Sequence, residues 1–357
     1  MPLVIEGGPV PTHWIEHQRS RRLFPIDRND LRGEGIKVAL INNMPDAAIE
    51  DTESQFFELL EDAASGIVVR IRLFSLPGIP RGDRGERHLT SFYSAIEDLW
   101  RDRFDAVIMT GTEPQRPDLR DETYWPVLTD VLRWAERNTA STVLSCLAAH
   151  AGVLYSDGIV RQPLNDKRFG VFECSRTGEH PLTWRIGEVM CFPHSRWNEV
   201  RERDLTSCGY VALTRSHKAG IDLFVKKKAR SLFVHFQGHP EYGVRTLLKE
   251  YRRDIRRFLH HERQTYPSMP DGYFDAEADK VLEEFREKAS ARRDPDQFAA
   301  FPEEQVSRNL QKGWHSSALC IYRNWLRYVA TTRSDQSHVV ARGAFRTQAQ
   351  DGSSVMS

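Results

Sequence analysis

Cys146 stands in "TVLSCLAAHAGVL", where a β-branched run gives way to a helix of small residues. A thiol at such a turn lies at the carboxyl edge of a sheet, with its sulfur beside the first free N–H groups of the helix. Those groups and the helix dipole favour a thiolate, and they can donate to the oxyanion formed when sulfur attacks a carbonyl. One element would then supply both nucleophile and oxyanion donor. A buried structural thiol is the alternative, and it is the commonest fate of a free cysteine. His239 and Glu241 stand in "FQGHPEY", directly after the alternating run "SLFVHF". There an imidazole can carry protons to and from an acyl acceptor and a leaving group, while the carboxylate orients the ring and stabilises its cationic form. Alone, the two would be an ordinary polar pair ahead of the helix at 246. A transfer site requires all three to meet.

The elements that must bring them together alternate. "IKVALIN" (36–42) is a short apolar strand, and "DTESQFFELLEDA" (51–63) sets Phe56, Leu59 and Leu60 on one helical face. "VVRIRLFSL" (68–76) alternates as a strand, "LTSFYSAIEDLW" (89–100) is helical, "FDAVIMTG" (104–111) is a buried strand, and "YWPVLTDVLRWAER" (124–137) is helical again. "STVLS" and "LAAHAGVLY" continue as strand and helix. Strands alternating with helices predict an α/β fold with a mostly parallel sheet flanked by helices, flavodoxin-like, whose ligands bind beyond the carboxyl ends of the strands. In the second half, "GYVALTRS" (209–216), "IDLFVKKKAR" (221–230) and "SLFVHFQG" (231–238) read as antiparallel additions. A basic amphipathic helix follows over 246–262, a charged helix with a solvated face within 263–313, and a last amphipathic helix over 314–330. Residues 1–35 read as an irregular arm, 36–330 as a single α/β domain carrying 263–313 as a charged helical insertion, and 331–357 as a disordered tail.

Composition narrows the partners. The chain has 357 residues, 40% of them hydrophobic, so it can build a substantial core. Fifty basic and fifty acidic residues cancel, which removes any global electrostatic reason to expect nucleic acid or an anionic membrane. No stretch approaches the roughly 18 to 20 apolar residues of a spanning helix, and the N-terminus lacks the order of a secretory signal, so a cytoplasmic protein is expected. Five cysteines without a C-x-x-C pair suggest neither a disulfide framework nor a zinc site, and no metal is expected.

Beyond these patterns, the chain resembles the homoserine O-acyltransferases, the homoserine O-succinyltransferase family. The words that carry the resemblance are "LINNMP…TESQFFELL", "FYSAIEDL…FDAVIMTG", "YWPVLTDVLRWA", "STVLSCLAAHA", "KRFGVFE", "PHSRW", "GHPEY…LLKEYRRD" and "WHSSALCIYRNWLRY". They run from Ile36 to about Leu259 and again from Trp314 to Tyr328, leaving the added length between 260 and 313 and the tail outside. The resemblance implies a class I glutamine amidotransferase-like fold and a ping-pong acyl transfer in methionine biosynthesis. Cys146 would be the acyl-thioester nucleophile, His239 the proton acceptor and Glu241 its acidic partner. Lys167, Ser195 and Arg253 fall where the family contacts substrate. Acyl-CoA would be a co-substrate with no further cofactor, the other partner homoserine, and the assembly a homodimer.

Departures bear on specificity. Asp46 and Ala47 replace the Lys pair common after "MP" in the family, and "KKKAR" (226–230) is another source of positive charge. Leu147 stands where many members have Trp. Gln115 occupies the position that is Gly in succinyl-transferring members and Glu in acetyl-transferring ones, which leaves the acyl donor open. Serine as acceptor differs from homoserine by one methylene, worth only about 1 to 3 kcal/mol in binding. A glutamine amidotransferase-like cysteine hydrolase would use the same three side chains, but the elbow reads S-C-L-A-A rather than G-x-C-x-G. A non-catalytic binding protein is the third alternative, against which the intact Cys146, His239 and Glu241 argue.

Overall fold

Apolar side chains alternate along the central strands and are covered on both faces, as a parallel sheet requires. Val38 and Leu40 enter one core while Ala39 and Ile41, between and beyond them, enter another. The computed structural model describes residues 3–20, 35–310 and 313–351, with side chains up to 333. The first half runs β1 (Leu3–Glu6), α1 (Thr12–Ser20), β2 (Ile36–Ile41), α2 (Ile49–Ala63), β3 (Val69–Phe74), α3 (Asp83–Phe92), α4 (Glu97–Arg101), β4 (Ala106–Met109), α5 (Trp125–Asn138), β5 (Ser141–Ser145) and α6 (Leu147–Asp157). The second half runs β6 (Gln162–Arg176), β7 (Val189–Glu199), α7 (Glu202–Ser207), β8 (Val211–Ala212), β9 (Thr214–Ser216), β10 (Gly220–Ile221), β11 (Leu223–Lys228), β12 (Ser231–Phe236), α8 (Thr246–Leu259), α9 (Ala276–Ala291), α10 (Glu303–Val306) and α11 (His315–Asp351).

Eight strands form the main sheet in the order β1-β3-β2-β4-β5-β12-β11-β8. All pairings from β1 to β12 are parallel, and β11 and β8 close one edge antiparallel. This is the predicted α/β architecture. The register aligns Ile41 and Leu144 with Met109, and Ser145 with Phe236, so the chain leaves four central strands at a common rim. On one face α2 and α11 bury Phe56, Phe57, Ile321 and Trp325; on the other α5 and α6 bury Leu128, Val131 and Ala149. A smaller antiparallel sheet, β10-β9-β6-β7, stands beside this rim.

Several expectations are corrected. The arm expected over 1–35 contains β1, which adds an edge strand to β3, and α1, whose Trp14 packs edge-on to Phe57; residues 21–34 lie outside the described ones. The helix expected over 89–100 is two, because the backbone turns extended at Tyr93, whose hydroxyl donates to Glu53 at 2.6 Å. "GYVALTRS" divides between the two sheets as β8 and β9. From 331 the chain continues α11 to Asp351 rather than forming the expected disordered tail, and 352–357 lie outside the described residues. Within 263–313 the charged α9 forms with its charges on a solvated face, as expected. It buries Leu282 and Phe285 in a third core with Tyr251 and Ile255 of α8.

Candidate active site

Cys146 links β5 to α6 with φ 54° and ψ −113°, a left-handed backbone that only glycine adopts without strain. The turn is held by Cys146 N–H donating to Phe236 O at 2.8 Å, while its own carbonyl accepts from Ala149 N at 3.0 Å. The loop after β4 presses on this turn at Gly111, where a Cβ would come within 3.0 Å of Leu147 N and 3.4 Å of Ser145 O. Glycine there lets backbone close over the Cys146 turn.

The parallel β5·β12 register carries the second part of the site. Beyond Phe236, Gly238 N donates to Asp222 Oδ1 at 2.7 Å and His239 N to Pro193 O at 2.8 Å, which seats the imidazole. His239 Nδ1 donates to Glu241 Oε1 at 2.9 Å, and Ser145 Oγ donates to the same oxygen at 3.1 Å. Tyr242 stacks on the ring with centroids 4.2 Å apart. Burial alone would lower the proton affinity of His239, but charge and hydrogen bonding from Cys146 and Glu241 outweigh it and hold the ring well above its ordinary value. The sulfur, imidazole and carboxylate thus converge.

Cys146 and His239 open into a cleft of about 790 Å³ whose wall also carries Lys167, Ser195 and Arg253. Glu250 of α8 ties these last three together. It accepts from Ser195 Oγ, from Tyr242 OH at 2.6 Å and from Lys167 Nζ at 3.3 Å, with an Arg253 nitrogen 3.8 Å away. Burial would raise the Glu250 carboxyl, yet Lys167 and Arg253 hold it below its usual value. Arg253 also donates to Asp254 Oδ1 at 3.1 Å and keeps half of its side chain in solvent. A cation able to take a carboxylate therefore stands beside a buried anion able to take an ammonium.

Gln115 is the site residue that is not brought in. Its side chain is exposed outside the cleft wall, where Glu113 and Pro114 stand instead, and its N–H donates to Glu122 Oε1 at 2.7 Å. Of the residues at the Lys-pair position, Ala47 lines the cleft, while Asp46 accepts from Gly82 N at 2.8 Å. "KKKAR" belongs to β11 and the following turn, where Lys226 and Lys228 pair with Asp157 rather than facing the cleft. Wall residues that escaped the sequence reading include Glu250, Tyr242, Arg161 and Arg196. Glu250 carried a signal, since it precedes Arg253 by three on a helix and so shares its face. Among the described residues no group of His, Cys, Asp and Glu could hold a metal ion, and no helix is long and apolar enough to cross a membrane.

A family model described as "HTS: Homoserine O-succinyltransferase" matches residues 22–335. A Bradyrhizobium japonicum protein named homoserine O-succinyltransferase is 44% identical over 296 residues, covering 83% of this chain and 90% of its own. A Methylorubrum extorquens protein of the same name is 43% identical over 295 residues, 83% of this chain and 87% of its own. Among solved structures, a glutamine amidotransferase from Thermotoga maritima covers 83% of this chain and 99% of its own at 11% identity and TM-score 0.43.

Proposed function

The chain belongs to the homoserine O-succinyltransferase family, and from that premise we propose that it moves a succinyl group from coenzyme A to the side-chain hydroxyl of homoserine through a Cys146 thioester, a step of methionine biosynthesis. The supporting observation is the convergence of Cys146, His239 and Glu241 in a cleft whose wall pairs Arg253 with Glu250.

His239, which Cys146 and Glu241 hold well above its ordinary value, takes the Cys146 proton as the sulfur attacks the thioester carbonyl. Leu147 N–H, the first of α6 and without a helical partner, is a donor for the resulting oxyanion. Collapse expels the coenzyme A thiolate, which takes the His239 proton. Acylation also removes the sulfur's negative charge, one of the two charges that raised the ring. The ring then becomes a weaker acid-holder and a better-matched base. It accepts the homoserine hydroxyl proton as that oxygen attacks the acyl carbon, and Cys146 leaves as thiolate. Glu241 remains paired with Nδ1 through both steps.

In this reading Arg253 receives the homoserine carboxylate and Glu250 its ammonium. For the donor, Arg161 and Arg196 share the wall with Cys146, and both respond to its charge. Arg196 donates to Asn198 O and Ala219 O, whereas among the described residues Arg161 makes one long bond, to Pro117 O at 3.4 Å. Arg161 therefore offers a cation to a distal carboxylate, which favours succinyl over acetyl.

The test crosses succinyl- and acetyl-coenzyme A with homoserine and serine, with glutamine hydrolysis as control. Intact mass should show an acylated protein that Cys146→Ser cannot form and that homoserine discharges. Glutamine turnover without acyl transfer, or an undiminished adduct in Cys146→Ser, would overturn the proposal.

A further inference from the structure

A second cavity, of about 460 Å³, is lined by Lys167, Arg168, Phe169, Phe172, Lys218 and Asp271. Lys167 lines both this space and the active cleft, so the two adjoin. Three cations face one carboxylate here. Lys218 is paired with Asp271 at 2.9 Å and Lys167 with Glu250 and Asp254, but Arg168 differs. Its side chain makes no hydrogen bond or ion pair among the described residues, and its Nε is buried without a partner. Moreover, Arg168 on β6 stands directly opposite Arg196 on β7, and like charges so placed repel across an antiparallel pair. A buried donor without an acceptor, beside a second guanidinium, is a standing penalty that a bound anion would relieve.

We infer that this cavity receives the phosphate-bearing nucleotide end of the acyl donor, with Arg168 as its main phosphate ligand and the phenylalanine walls beside it as the apolar part of the seat. The inference rests on the reading of the donor as an acyl-coenzyme A. A donor whose thioester lies at Cys146 then runs past Lys167 from one cavity to the other. The lysines at 226 and 228 are not needed for this, being tied to Asp157.

Titration of the wild-type protein with adenosine 3′,5′-bisphosphate by calorimetry should show binding that Arg168→Gln weakens about 10- to 100-fold, the scale of one charge-assisted contact. Inorganic phosphate should bind more weakly than the nucleotide. No binding to wild type, equal binding to the variant, or phosphate matching the nucleotide would each overturn the assignment. In kinetics, Arg168→Gln should raise KM for succinyl-coenzyme A by a similar factor at constant kcat, while transfer from succinyl-N-acetylcysteamine, which lacks the nucleotide, stays at the wild-type rate. Equal losses with both donors would mean a structural role and sink the inference. If wild type transfers from neither donor, the reading of its function fails, and the calorimetry still decides the nucleotide site.

Discussion

Replacing Glu241 by Gln removes one charge and almost no volume. The carboxylate oxygen Oε1 holds both His239 Nδ1 and Ser145 Oγ, and the amide oxygen of Gln can still accept from them. Its amide nitrogen would fall where Oε2 is buried without a partner among the described residues. The ring and carboxylate meet at 2.9 Å, and opposite charges about 4 Å apart at an effective dielectric near 20 interact by about 4 kcal/mol. The imidazolium that forms as homoserine attacks should lose roughly 3 to 4 kcal/mol of stabilisation, which lowers deacylation by about 10²- to 10³-fold. Rapid-quench intact-mass measurements with succinyl-coenzyme A, followed by homoserine, separate acylation from deacylation. In the variant the acyl-enzyme should accumulate and discharge slowly. Because Glu241 raises the proton affinity of the ring, the acidic limb of the deacylation pH profile should also move to lower pH. A variant that discharges within threefold of wild type, or whose acidic limb does not move, would refute the role given to Glu241.

Arg161→Leu should cut kcat/KM for succinyl-coenzyme A by about 10- to 100-fold, the value of a charge-assisted contact, and leave acetyl-coenzyme A within threefold. By contrast, Gln115→Glu should leave the donor ratio nearly unchanged, since that side chain lies outside the cleft wall; a large swing toward acetyl would refute its placement. Burial pushes the Asp222 carboxyl up from 3.8 to about 6. Its folded state therefore holds a proton that the unfolded chain has released, and stability should fall by about 3 kcal/mol as pH rises from 4 to 6. Urea unfolding across that range should show a flatter dependence in Asp222→Asn, and an unchanged slope would refute the assignment. Trp325 of α11 is buried and donates its indole N–H to Ser141 Oγ at 2.9 Å. Trp325→Ala should cost about 3 to 5 kcal/mol in chemical denaturation, and a loss below 1 kcal/mol would show that α11 does not secure the sheet.

Local sequence carried the alternation of strands and helices, the thiol at the end of "STVLS" and the acid–base pair at the end of "SLFVHF". Each depends on periodicity or on residues within one turn, which a short window contains. The hairpin of β6 and β7 was not legible. The first half of "QPLNDKRFGVFECSR" is largely exposed on both sides, and "VMCFPHSRWNE" buries His194 and Arg196, residue types that ordinarily mark surface. The polar stretch after 331 has no apolar period to announce the end of α11, and β1 is recognisable only through its pairing with β3. The sequence by itself determined which side chains were on offer: a thiol, an imidazole and a carboxylate, each at the mouth of a strand. Only the tertiary structure decided that Ser145 lies level with Phe236, that Glu250 meets Ser195 and Lys167, that Gln115 is exposed outside the cleft wall, and that two arginines oppose each other at the hairpin. Those meetings are set by strand register and by the packing of α8 on the hairpin, which join residues tens of positions apart and leave no trace in any local pattern.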